Sequence, residues 1–96
     1  VFSPDNDGFQ DIAVFSYNIS EIGMVGNATI FDSRGRLIKK VLSNELLPTQ
    51  GQFTWDGINQ YGQKASVGIY LVYFECFSTD GIILNFKATT TLKTSF

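Results

Sequence analysis

The chain contains no histidine, one cysteine and two prolines. Without histidine there is no His-based catalytic triad and no His-bearing metal triad. The single cysteine, Cys76, cannot close a disulfide within the chain. Positive charge is scarce: seven Lys and Arg in 96 residues, with a net charge of −2. Nucleic-acid binding needs a basic face to neutralise phosphates, so no nucleic-acid partner is expected. No apolar run approaches the ~18 residues of a membrane-spanning helix, and no signal-peptide pattern is present. Val1 opens the chain in mid-motif, which leads us to expect a single domain forming the C-terminal piece of a larger protein.

What is present is apolar and aromatic. Hydrophobic residues make up 44% and aromatics 15% of the chain. A domain this size buries about 60–70% of the surface its unfolded chain exposes, enough for a modest core. The densest stretch is Gly68 to Ser78, rich in the aromatic and β-branched residues that suit a pleated strand. Both of its alternating rows are largely apolar, which predicts a central strand covered on much of both faces. Asp80-Gly81 then signals a hairpin into Ile82–Leu92. Its partner strand presents Ile82, Leu84, Phe86, Ala88, Thr90 and Leu92 on one side.

Earlier strands follow from the same logic. Phe15, Tyr17 and Ile19 alternate with Ser16, Asn18 and Ser20, a half-buried strand. Met24 to Phe31 is the second. Its small residues Gly26 and Ala28 share a face with Met24 and Ile30, so a bulky neighbour should fill the space above them. Asp32-Ser33-Arg34-Gly35 has the preferences of a type I turn. The third strand is expected over Arg36–Leu42, with a bulge or an edge position. Ser43 to Gly51 reads as the longest irregular connection, crossing between sheets. Gln52 to Asp56 is a short strand in which Trp55 serves the core. About seven strands and no convincing helix predict an all-β, immunoglobulin-like (fibronectin type III-like) antiparallel sandwich of two sheets.

Three places carry candidate function. The opening loop holds Asp5, Asp7, Gly8 and Asp11, oxygen-rich residues around a glycine bend. Asp5, Asp7, Asp11 and the carbonyl of Phe9 suit a structural Ca²⁺ ion. The alternative is a cluster of Asx turns whose side chains cap their own backbone. In the central strand, Ile69, Leu71 and Tyr73 form an apolar patch that wants a partner, provided the second sheet leaves them uncovered. Tyr61, on a turn, is the best platform for a sugar ring, with Tyr73 second. Catalysis is not expected. The Asp residues sit in turn-like contexts, and Glu75, inside a strand, has no evident second carboxylate opposite. Arg34, Arg36, Lys39 and Lys40 read as a solvated turn and strand edge. Cys76 reads as a buried structural thiol.

Three stretches in order carry a family resemblance. Phe2–Asp11 (F-S-P-D-N-D-G-F-Q-D), Ile30–Lys40 (I-F-D-S-R-G-R-L-I-K-K) and Thr54–Tyr70, with its W-D-G and later Y-G and G-I-Y, together span nearly the whole chain. They resemble the C-terminal immunoglobulin-like domains of secreted Bacteroidetes proteins, including lamin-tail-containing and gliding-motility-associated ones. They are also similar to the corresponding domain of flagellar hook-capping proteins. The resemblance implies a non-catalytic accessory domain of a secreted or cell-surface protein, acting as a spacer, docking module or type IX secretion signal. Its implied partners are upstream domains of the same polypeptide and secretion machinery or cell-surface components. The chain departs from sorting versions in its ending, Leu92-Lys93-Thr94-Ser95-Phe96. A carbohydrate-binding module is the alternative.

Overall fold

The computed structural model describes residues 12–93. Six strands lie in that range: β1 (Ala13–Asn18), β2 (Met24–Asp32), β3 (Leu37–Leu47), β4 (Gln50–Trp55), β5 (Gly68–Phe77) and β6 (Ile83–Leu92). They form two antiparallel sheets, β1-β4 and β3-β2-β5-β6. This is an immunoglobulin-like sandwich. A supporting detail is Tyr70 at the start of β5, whose hydroxyl donates to the Ser66 carbonyl. That is the tyrosine corner of such folds, a loop pinned to the strand it enters.

The core lies between the sheets. Met24, Ala28 and Ile30 of β2 and Tyr70, Val72, Phe74 and Cys76 of β5 are buried on one side. Phe53 and Trp55 of β4 face them, with Phe15 and Tyr17 of β1 packed alongside. Aromatic rings bridge the layers: Tyr17 stacks on Phe74 at 5.2 Å, Phe53 on Phe74 at 5.4 Å, and Trp55 meets Tyr70 edge-on at 4.9 Å. Trp55 also satisfies its indole N–H, which donates to the Ile58 carbonyl at 2.9 Å. The bulky neighbour expected above Gly26 is Leu47. A Cβ added at Gly26 would lie 2.4 Å from its Cδ1.

Two expectations change. The strand predicted to stop at Leu42 continues to Leu47, and the irregular connection shrinks to Pro48 and Thr49. Ser43 and Asn44 mark a bulge instead of a strand end. The ladder skips from Gly26↔Glu45 to Ala28↔Leu42, and Asn44 adopts φ 50°. Asn27 replaces the lost ladder bonds with its side chain, accepting from the Asn44 N–H at 3.0 Å and donating to Asn44 Oδ1 at 3.2 Å. The residues that spell "turn" therefore also spell "bulge". The sheet crossing itself stands, since β3 and β4 lie in different sheets. The second change concerns β5, which is central but covered on one face only. Its buried row alternates strictly with a half-exposed one.

One turn is built three times. Asp32-Ser33-Arg34-Gly35-Arg36, Asn59-Gln60-Tyr61-Gly62-Gln63 and Ser78-Thr79-Asp80-Gly81-Ile82 share a pattern. In each, the first residue's N–H donates to the fifth carbonyl and its own carbonyl accepts from the glycine N–H. Each glycine has φ between 81° and 87°, the left-handed position of a three-residue hairpin loop. In each, one side-chain oxygen of the first residue accepts from the N–H groups two and four residues on. Asp32 adds an ion pair, Arg36 Nε to Oδ2 at 2.7 Å.

These contacts hold the Asp32 carboxyl below its usual range, first through the Arg36 backbone N–H and then through the Arg36 side chain and the Arg34 N–H. A carboxyl depressed in the folded state stabilises above its unfolded pKa of ~3.9, and that contribution is lost as pH falls through the folded value. Asp32→Asn keeps an acceptor of the kind Asn59 already uses. It should preserve the turn near neutral pH while flattening the fall of melting temperature below ~pH 4. Asp32→Ala should lower the melting temperature at neutral pH as well. In the core, Leu47→Ala should cost about 2–5 kcal/mol in urea unfolding, because the space above Gly26 would be left empty.

Candidate docking surface

Ile69, Leu71 and Tyr73 lie on the row of β5 that faces away from the β1-β4 sheet. Ile69 is 58% exposed, and Leu71 and Tyr73 are half-buried among their own sheet neighbours. The condition set by the sequence is met: the second sheet does not cover them. Register then adds residues that the one-strand pattern missed. Leu71 pairs with Phe31 of β2, and Phe31 pairs with Leu37 of β3. Leu37 is 46% exposed. The apolar patch thus crosses three strands, from Leu37 through Phe31 and Leu71 to Ile69.

A polar row borders it. Thr29 pairs with Lys40 on one side and Tyr73 on the other, and Tyr73 pairs with Lys87. By strand alternation all four lie on the same outer face. The Tyr73 hydroxyl donates to Glu75 at 3.1 Å. Burial first, and then this carboxylate, push the phenol pKa up, so Tyr73 stays a neutral donor. Glu75 faces Asn27 and Asn85 across the two ladders, neither of them a carboxylate.

At the other end the patch runs into an open cleft of about 650 Å³. Leu37 and Ile69 line both, and the Asp32–Arg36 and Asn59–Gln63 turns form its walls. The Gln60 N–H donates to the Ile38 carbonyl at 2.8 Å, tying the second wall to β3. Tyr61 stands on that wall, 78% exposed. Tyr73, the second sugar-platform candidate, lies within the sheet with its hydroxyl engaged by Glu75. Arg34 and Arg36 flank Asp32, whose oxygens are taken by its turn.

The remaining candidates separate. Cys76 is fully buried, and burial raises its thiol pKa, with Glu75 adding to the shift. That setting suits packing and disfavours the reactive thiolate. Asp5, Asp7, Phe9 and Asp11 lie outside the described residues. Among the described residues no group of three or more His, Cys, Asp or Glu is placed to hold a metal ion. No helix of the described chain is long and apolar enough to cross a membrane.

No family model matches the chain, and neither does any curated protein. Among solved structures the chain is similar to the crystal structure of CopC from Methylosinus trichosporium OB3b. The TM-score is 0.55 at 22% identity, over 88% of this chain and 76% of that one. At this identity the likeness shows the β-sandwich fold.

Thermal unfolding in Ca²⁺ and in excess EDTA tests the calcium reading of Asp5, Asp7, Phe9 and Asp11, and equal melting temperatures would leave the Asx-turn alternative. A rise of several degrees in Ca²⁺, lost in Asp11→Ala, would assign the loop to a cation instead. An ion at 100 times its dissociation constant stabilises by about 2.7 kcal/mol, well within reach of the measurement.

Proposed function

We propose that this chain is a non-catalytic accessory domain of a secreted or cell-surface multidomain protein, and that it docks through the outer face of its four-stranded sheet. The observation that carries the reading is the uncovered apolar patch of Leu37, Phe31, Leu71 and Ile69. An isolated exposed leucine needs no explanation, but a contiguous patch across three strands with a polar border is the pattern of a contact surface. Lys40 and Lys87 lie on either side of the neighbouring row. The partner surface this face suits is an apolar anchor flanked by carboxylates. The family resemblance of the three motifs supplies the setting: a terminal module recognised by export machinery or by neighbouring domains.

A carbohydrate-binding role has less support. Sugar platforms use aromatic faces arranged to stack a ring, whereas Tyr61 stands on a turn and Tyr73 lies within the sheet with its hydroxyl engaged by Glu75. Enzymatic activity has no support from Glu75, whose cross-strand neighbours are two asparagines.

The test is a reporter fused to the N-terminal side of this chain and expressed in a bacterium with type IX secretion. The native fusion should reach the cell surface. Ile69→Lys, which changes an exposed side chain, should reduce surface display several-fold with an unchanged melting temperature. Ser16→Lys, on the opposite sheet, should leave display intact. Equal display with and without the domain would sink the docking reading and leave a spacer.

A further inference from the structure

Positive charge is scarce in this chain, and it is unevenly placed. Of seven Lys and Arg, three line the cleft of about 650 Å³ at the end of the sheet where β5 begins: Arg34, Arg36 and Lys64. The one carboxylate lining that cleft is Asp32. Its oxygens are already taken by the Arg34 and Arg36 N–H groups and by Arg36 Nε. Among the described residues the Arg34 and Lys64 side chains have no ion-pair partner, and Arg36 has its two terminal nitrogens free. Most other carboxylates lie toward the opposite end of the sheet. Glu45 pairs with Gly26 and Glu75 with Asn27, near the start of β2, and Asp80 sits in the turn after β5. A chain of net charge −2 thus carries a cationic cleft at one end.

The cations stand on backbone that is already fixed. The Arg34 N–H donates to Asp32 Oδ1 at 2.9 Å inside its turn. Lys64 forms a bridge with Ile58, and beside it the Ala65 N–H donates to the Gly57 carbonyl at 2.8 Å. The Tyr70 hydroxyl holds the Ser66 carbonyl two residues further on. The same cleft also shows aliphatic carbon to solvent, because Leu37, Val67 and Ile69 line it and are exposed. Cations and aliphatic side chains therefore share one preformed hollow, and ordering it on binding costs little.

We infer that this cleft binds an acidic peptide segment of the docking partner, with its carboxylates on Arg34, Arg36 and Lys64 and an apolar side chain on Leu37, Val67 and Ile69. The inference rests on the docking reading of the outer sheet face and adds the chemistry of the partner at one end of that face. Charge complementarity selects an anion. The aliphatic side chains select a peptide over an acidic polysaccharide, which would meet the cations but set hydroxyl groups against Leu37, Val67 and Ile69. The concave shape selects a peptide over an anionic membrane. The Asp32–Arg36 and Asn59–Gln63 turns form walls, and a flat layer of headgroups meets protruding side chains before it reaches a hollow between two turns.

A set of labelled octapeptides tests this on the full chain by fluorescence anisotropy. Each carries one Leu-Val pair and two Glu, with the Glu at every spacing from the pair, and a matched set has Gln in place of Glu. The best Glu peptide should bind about tenfold more tightly than its Gln counterpart, and the difference should shrink as salt is raised. The double variant Arg34→Ala, Lys64→Ala changes two exposed side chains. It should erase the preference at an unchanged melting temperature. No binding by any Glu peptide, equal binding of the two sets, or a preference that survives in the double variant would overturn the inference. So would tighter binding of heparin or of phosphatidylglycerol vesicles through the same two residues, which would give the cleft to a polysaccharide or a membrane. Salt-sensitive self-association lost in the double variant would overturn it too, since a second copy would then hold the cleft. Surface display judges the docking reading separately: display that Ile69→Lys reduces, without any preference for Glu, removes the acidic partner alone.

Discussion

The contact on which the rest of the structure depends is the stack of rings that joins the two sheets through Phe74. Tyr17 and Phe53 lie on it from above at 5.2 and 5.4 Å, while Phe86 flanks it within its own sheet at 6.2 Å. A two-stranded sheet has little surface with which to bury a core, so it uses large side chains. Phe15, Tyr17, Phe53 and Trp55 supply nearly all of its inner face. Opposite them β2 is deliberately slim, with Gly26 and Ala28 making room for Leu47 and the ring layer. Aromatic pairs of this kind contribute about 0.5–1.5 kcal/mol beyond the area they bury.

The inner packing explains why the outer face is left uncovered. Strand β5 must be apolar on its inner row to meet the rings. Its outer row, Ile69, Leu71 and Tyr73, has no such structural obligation, because no element of the described chain packs over it. Apolar residues nevertheless occupy that row and are matched by Phe31 and Leu37 across the ladders, which is the basis of the docking proposal. The repeated turn contributes rigidity at the same end. Two of its copies wall the cleft that adjoins the patch, and each satisfies its own backbone with a single side-chain oxygen. A surface framed by such turns loses little freedom on binding.

Much of the fold was legible because period-two patterns and Gly-bearing turns report local geometry. The Asp32 and Asp80-Gly81 hairpins, the burial of Trp55 and Cys76 and the fit above Gly26 all follow from residue type and spacing. Less could be read at Ser43-Asn44, where the same residues suit a turn and a bulge. The choice depends on Asn27, seventeen residues away, supplying the missing bonds. The apolar patch was legible in one strand and hidden in the other two. Phe31 and Leu37 are unremarkable in their own segments and become neighbours of Leu71 only through ladder register.

Taken alone, the sequence determined the class of the fold, the central place of Gly68–Phe77 and which rows are apolar, since side-chain alternation and turn chemistry act over a few residues. Only the tertiary structure decided which apolar row is covered. Leu71 and Val72 are adjacent and similarly hydrophobic, yet Val72 is buried under the ring layer and Leu71 faces outward. Phe86, placed by its pattern on the core side, stands half in solvent because the layer above it ends one strand early. Burial belongs to the arrangement of sheets: a side chain is covered when another strand lies over it, and that depends on pairings across the whole chain.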